Sequence, residues 1–308
     1  MKMDIMKLIW LIPGMLLLGL AGCEKDDSEE KMAGQRAKLE KYIEDNNITT
    51  EPTSSGLYFL PVEEGNGTQA DSSADVMIFY YTERLLDGTI VYSTSKKLLE
   101  SSGIEYTDLY IGPYQQRLDK IGPSGLKEGL EMMSEGDSAR LILPFDLAYG
   151  EIAFENVPAY SNLIFDVRLL KVVNDMKVHE RELINNYLDT IATDNIDSLT
   201  TGVIIISDKP GIGEKPGLYK TVSISVKGTT ITGIPFFDSG ETDRSWSIQP
   251  GDTEIEGLNY ALLEMKVGEQ ARAIIPYFLA YDKNQQGNSW NLPPYATLVF
   301  DITLKSIK

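Results

Sequence analysis

Met133-Ser-Glu-Gly136-Asp-Ser-Ala139-Arg140-Leu-Ile-Leu-Pro144 occurs a second time as Met265-Lys-Val-Gly268-Glu-Gln-Ala271-Arg272-Ala-Ile-Ile-Pro276. A glycine at a turn followed by a short β-rich run closed by proline is one turn-and-strand unit, and its return in register makes the chain a repeat. Working outward, Leu147-Ala-Tyr149 matches Leu279-Ala-Tyr281, and Leu163-Ile-Phe165-Asp166 matches Leu298-Val-Phe300-Asp301. Upstream, Arg36-Ala-Lys-Leu39-Glu-Lys-Tyr42-Ile43 parallels Arg181-Glu-Leu183-Ile184-Asn-Asn-Tyr187-Leu188. Each repeat is a helix, a polar connection and a domain, which divides the chain into 23–54 (acidic tether and helix), 55–173 (domain one), 174–199 (linker helix) and 200–308 (domain two). The total of 308 residues suits two domains.

Within the domains apolar residues alternate with period two, as in Asp75-Val-Met-Ile-Phe-Tyr-Tyr81 and Asn162-Leu-Ile-Phe-Asp-Val-Arg-Leu169, with Gly, Pro, Asn and Asp between the runs. That pattern is an antiparallel sheet. One apolar helix interrupts each domain, at 125–133 and 257–265, so each is α+β: a half-open antiparallel sheet wrapped around one short helix. In 174–194, Met176, Leu183, Ile184, Tyr187, Leu188 and Ile191 fall at steps of three and four, the apolar face of an amphipathic helix that packs on a neighbouring domain. His179 on that helix is read as a surface or packing residue.

Composition excludes much chemistry. With one histidine and one cysteine, Cys23, no zinc set, disulfide framework or Ser-His-Asp triad can be assembled. A net charge of −18 argues against nucleic acid as a partner. No cofactor and no metal are called for, and the oligomeric state is left open.

The first residues read as an address. Lys2 and Lys7 precede an apolar run, Leu8 to Leu20, shorter than the roughly 20 residues of a spanning helix, so 1–22 reads as a signal peptide. It ends in Leu20-Ala21-Gly22-Cys23, which resembles the bacterial lipobox, and that likeness implies cleavage before Cys23 and acylation of its sulfur. Losing 1–22, which carries net +1, takes the charge from −18 to −19. The acidic run Glu24-Lys25-Asp26-Asp27 resembles a surface-export tract, which makes an outer-membrane lipoprotein, facing either side, the expected location. Asp189-Thr190-Ile191 and Asp197-Ser198-Leu199 resemble bacterial O-glycosylation sites.

The ordered motifs resemble the FKBP-type peptidyl-prolyl isomerases. Domain one carries Gly56-Leu57-Tyr58, Tyr81-Thr82, Leu86-Asp87-Gly88-Thr89, Gly125-Leu126, Ala148-Tyr149-Gly150 and Val157-Pro158; domain two carries Phe237-Asp238-Ser239, Gly257-Leu258, Ala280-Tyr281 and Leu292-Pro-Pro-Tyr-Ala-Thr-Leu-Val-Phe300-Asp301. The resemblance implies that proline-containing polypeptide segments are the partners and that catalysis is differential binding of a twisted amide, whose rotation otherwise meets a barrier of about 18–20 kcal/mol. For domain two it implies a site of Phe237, Asp238, Ile255, Leu258, Tyr281 and Phe300, with Trp246, Leu292 and Val226 in the substrate pocket. Asp238 would be its buried polar group, the Ile255 N–H and the Tyr281 hydroxyl its donors, and Val226 stands where the family usually has tyrosine. Domain one would use Tyr81, Val91, Leu126, Tyr149, Val157 and Phe165, with Val91-Tyr92 in place of Phe-Asp. Pro123 falls where the backbone donor belongs and has no N–H to give. Two functions stay open: a membrane-anchored isomerase assisting envelope or surface proteins to fold, and a catalytically weak binding module or accessory subunit of an outer-membrane complex. A carbohydrate-binding surface is the third, suggested by Trp290 and Tyr295.

Overall fold

A computed structural model of the chain describes residues 27–106, 110–192, 194–240, 242–249, 255–281 and 292–308. Cys23, the whole of 1–22 and Trp290 lie outside them.

The chain opens on α1 (Asp27–Asp45) and then builds a first sheet from β1 (Tyr58–Glu63), β2 (Val76–Leu85), β3 (Ile90–Ser93), β4 (Tyr114–Arg117), β5 (Ser138–Leu143) and β6 (Leu163–Val173). A short helix, α2 (Lys96–Ser101), follows β3, and α3 (Ser124–Glu131) precedes β5. The order is β1-β5-β6-β2-β3, with β4 also paired to β2, and every pairing is antiparallel. After α4 (Met176–Leu188) come β7 (Ile196–Ser198), β8 (Ile204–Lys209), β9 (Thr221–Thr230), β10 (Pro235–Asp238), β11 (Arg244–Ser247), α5 (Glu256–Glu264), β12 (Gln270–Ile275) and β13 (Leu298–Ile307). The second sheet runs β10-β9-β13-β12-β8-β7, with β11 on β9, so it repeats the first topology and adds one strand, β7, at the edge.

Alternation decides which side chains meet the helix. In β6, Leu163, Phe165, Val167 and Leu169 face inward and are buried with Leu126 and Leu130 of α3; in β13, Leu298, Phe300, Ile302 and Leu304 do the same against Leu258 and Leu262 of α5. Each such side chain removed from water contributes about 1.5–3 kcal/mol. Gly136 and Gly268 hold φ +95° and +88° at equivalent turns, a conformation that a Cβ disfavours, which is why glycine recurs in the repeated motif.

The opposite face of each sheet is covered by the helix that precedes it. Leu39, Tyr42 and Ile43 of α1 lie on Ile142 and Ile164, while Leu183, Ile184, Tyr187 and Leu188 of α4, with Ile191 beyond its end, lie on Ile206, Ile274 and Val299. Met176 lies instead beside a cavity of about 310 Å³ between the two units, and the half-buried His179, whose imidazole pKa burial lowers, lines it too. Glu180 fixes α4: its buried Oε1 accepts from the Tyr277 backbone N–H at 2.8 Å and from Thr297 Oγ1 at 2.6 Å. The equivalent anchor of α1 is built differently. Asn162 accepts from the Phe145 N–H and donates to the Gln35 carbonyl, so there the sheet unit supplies the polar side chain. The units also touch directly through the Gln115 amide, which donates to the Pro294 carbonyl. Tyr295 is half-buried and packs edge-on to Tyr277, centroids 5.5 Å apart, so it is occupied in the fold and offers no exposed aromatic platform. Among the described residues, no helix is long and apolar enough to cross a membrane, and no cluster of His, Cys, Asp and Glu could hold a metal.

Candidate active site

In the second unit, Val226 on β9, Phe300 on β13, Ile255 at the start of α5, Leu258 inside it, Tyr281 and Leu292 belong to one continuous apolar cluster, and Trp246 packs against it. Trp246 is positioned by its indole N–H, which donates to Asn259 Oδ1 at 2.8 Å, while Asn259 Nδ2 donates to the Gln249 carbonyl. Ile255 is the N-cap residue of α5, extended at φ −135° and ψ 94°, and keeps its backbone N–H at the mouth of the helix. Six of the nine residues expected in this site therefore lie in one cluster and a seventh, Trp246, lies against it.

Phe237 packs only at the margin of that cluster, and Asp238 lies outside it. On β10, Pro235 opposes Thr229 and Phe237 opposes Gly228, so Phe236 is the extra residue of a β-bulge. The bulge turns Phe236 inward, where it is buried and meets Phe300 edge-on with centroids 5.5 Å apart. Phe237 is left half-buried, with the Arg244 guanidinium 4.7 Å above its ring. Asp238, expected to be the buried polar group, is exposed: its carboxylate accepts from the Gly240 N–H at 2.8 Å and lies 3.2 Å from Lys227 Nζ, and both hold its pKa below the ordinary value. The physical reason is the one-residue insertion, which reverses the faces of everything after it on a strand of period two.

The first unit has the same bulge. Glu83 opposes Tyr92 and Arg84 opposes Ile90, so Val91 is the extra residue and corresponds to Phe236, while Tyr92 corresponds to Phe237. Pairing Val91-Tyr92 with Phe237-Asp238 is thus corrected by one position. Tyr81 sits at the centre of an aromatic group, its ring centroid 5.4 Å from Tyr92, 5.7 Å from Phe79, 5.9 Å from Phe165 and 6.0 Å from Tyr114. Burial raises its phenol pKa well above the usual value. Leu126, Val157 and Phe165 are buried beneath it, and Val91 and Tyr149 pack at the side. Tyr149 stacks on Phe154, 4.5 Å apart and tilted by 16°. Pro123 is the N-cap residue of α3, as Ile255 is of α5, so the donor absent from the sequence is absent at the matching place.

One group was not anticipated. Glu83 is 4% exposed and lies on the inward stripe Met77, Phe79, Tyr81, Glu83 of β2. Its Oε2 accepts from the Tyr149 hydroxyl at 3.4 Å, and burial pushes its pKa up to about 7. The signal was legible, since period two puts a carboxylate on the core face of an otherwise apolar strand.

Residues 67–170 and 213–305 each match the profile of the FKBP-type peptidyl-prolyl cis-trans isomerases. The chain belongs to this family. It is similar to the FKBP-type isomerase FkpA of Escherichia coli K12, 31% identical over 154 residues, which cover 49% of this chain and 50% of that protein. It is also similar to human peptidyl-prolyl cis-trans isomerase FKBP9, 26% identical over 96% of this chain and 48% of the relative. Among solved structures, the three FKBP domains of wheat FKBP73 align over 83% of this chain and 96% of theirs, at 20% identity and a TM-score of 0.33. The chain spans about half the length of the curated relatives it matches. The two FKBP-type units differ both in aromatic residues, with Val226 and Phe236 in the second against Tyr81 and Val91 in the first, and in polar equipment.

Proposed function

We propose that this chain is a peptidyl-prolyl cis-trans isomerase of two FKBP-type domains, 55–173 and 200–308, in which the second carries most of the catalysis and the first chiefly holds substrate. The observation that supports the division is the N-cap of the inner helix: Ile255 has a backbone N–H to offer a substrate carbonyl and Pro123 has none. Around Ile255 the second domain gathers Phe236, Phe300, Leu258, Leu292 and Tyr281, an apolar and aromatic set of the kind a proline ring requires. Rotation needs no nucleophile. An apolar enclosure favours the twisted amide, whose carbonyl has lost delocalisation with nitrogen and is less in need of water, over the planar one, and this differential binding lowers the barrier.

The lipobox-like Leu20-Ala21-Gly22-Cys23 supports attachment to a membrane through acylated Cys23, with envelope or surface polypeptides as clients. Labelling with a radioactive fatty acid, lost in Cys23→Ser, tests the anchor, and protease shaving of intact cells tests which side the domains face.

The activity is tested by following isomerisation of an Xaa–Pro peptide with the intact chain. Tyr281→Phe should lower kcat/KM about tenfold, as loss of one hydrogen bond used in the transition state does, while Tyr149→Phe should change it less than about twofold. A rate equal to solvent for the intact chain would leave only the second reading, a binding module. That reading is favoured specifically in the first domain by Pro123 and by Val91, which replaces an aromatic ring.

A further inference from the structure

Glu83 and Gly228 occupy the same place in their sheets, Glu83 opposite Phe165 and Gly228 opposite Phe300. In the second domain no side chain fits there: a Cβ on Gly228 would come within 2.5 Å of the Phe236 ring and 3.0 Å of Phe300. In the first domain the bulge residue is Val91, smaller than phenylalanine, and the position matching Gly228 carries the buried Glu83 side chain. An aromatic edge has been exchanged for an acid at the side of the proline site.

The acid is under-supplied with donors. Oε2 has the long contact to Tyr149, and Oε1 is buried with no hydrogen-bond partner among the described residues. The titratable groups that act on it are Tyr149, with which it shares its one hydrogen bond, and Glu155, which repels its charge; Tyr81 on its own strand also lies within electrostatic range. Among the described residues no lysine or arginine pairs with it, and Arg84, next on β2, binds Asp166 instead. A buried carboxylate short of donors costs free energy that an incoming donor recovers. Glu83 lies two residues from Tyr81 on the same face of β2, roughly 6.6 Å along the strand, so an acid stands beside the aromatic group.

We propose that Glu83 makes the first domain select proline segments whose neighbouring residue carries a cationic hydrogen-bond donor, lysine or arginine, whereas the second domain, with Phe236 over Gly228, does not discriminate by charge. The inference rests on the reading of both domains as proline-peptide sites. It assigns to the first domain a specificity that the Phe-Asp positions do not carry.

The test is an NMR titration of the intact chain with three short peptides having Lys, Leu or Glu before the proline. The Gly125 and Gly257 amides, equivalent positions in α3 and α5, report the two domains separately. At about pH 8, where Glu83 is ionised, the Lys peptide should bind the first domain about tenfold more tightly than the Glu peptide, an effect the size of one charge-assisted hydrogen bond. Glu83→Gln should bring that ratio within about twofold and leave the second domain's ratio unchanged. In the unmutated chain the ratio should shrink at about pH 6, which checks the idea without any variant. Equal affinities for the Lys and Glu peptides, a ratio insensitive to Glu83→Gln, or a ratio flat with pH would overturn it. If Gly257 responds to every peptide and Gly125 to none, the proline-binding reading of the first domain fails as well, a result distinct from binding without preference.

Discussion

Phe236 stands edge-on to Phe300 directly over Gly228, and the three positions together form the second domain's counterpart of Val91, Phe165 and Glu83. The pair fixes which of two consecutive phenylalanines builds the site. Phe236→Ala should destabilise the second domain by about 3–5 kcal/mol, the usual cost of emptying a buried aromatic position, and cut kcat/KM at least about tenfold. Phe237→Ala removes a half-buried ring and one cation–π contact and should cost about 1 kcal/mol or less. Chemical denaturation followed by the peptide assay ranks the two, and the reverse ranking would refute the bulge assignment.

Asp238→Asn provides a second check on the same bulge. An exposed carboxylate that, among the described residues, pairs with Lys227 and a turn N–H has no role in a buried site. Isomerisation by the variant should stay within about twofold of the parent protein at neutral pH. A loss of tenfold or more would place Asp238 back in the catalytic machinery.

Glu83 couples the first domain's stability to pH. Its folded pKa, about 7, lies above the ordinary carboxyl value of 4.5, so the folded state holds the proton more tightly than the unfolded one. The associated stability is complete below about pH 4.5 and is lost progressively as the pH rises through about 7, a total loss of roughly 3 kcal/mol. Glu180, whose pKa burial also raises, contributes with the same sign. Urea denaturation between about pH 5 and pH 8 should therefore show a decline that Glu83→Gln flattens. An unchanged slope in that variant would mean that Glu83 is solvated.

Glu180 supports a prediction about the helix between the domains. Glu180→Ala leaves the Tyr277 N–H and the Thr297 hydroxyl buried without an acceptor and should cost about 2–4 kcal/mol, with faster hydrogen exchange at the Tyr277 amide. Glu180→Gln retains an oxygen at the same place and should cost less than about 1 kcal/mol. Equal losses for the two would show that charge, and not the acceptor, holds α4 down.

The sequence by itself determined the repeat, the two antiparallel sheets with one inner helix each, the helices that cover them, and the family. It could do so because period-two runs, turn glycines and the helical stripe of α4 are set by local geometry that needs no knowledge of neighbours. It also determined that Pro123 cannot donate where Ile255 can, since a missing N–H is covalent. Only the tertiary structure decided that Phe236 enters the core and Asp238 leaves it. A bulge is defined by two residues facing one across a pair of strands, so β10 cannot be read without β9. The same holds for Glu83: its strand position was visible along β2, but its partner Tyr149 lies 66 residues away. Its counterpart Gly228 leaves no room for a side chain because Phe236 lies over it, whereas Val91 stands at the matching place in the first domain.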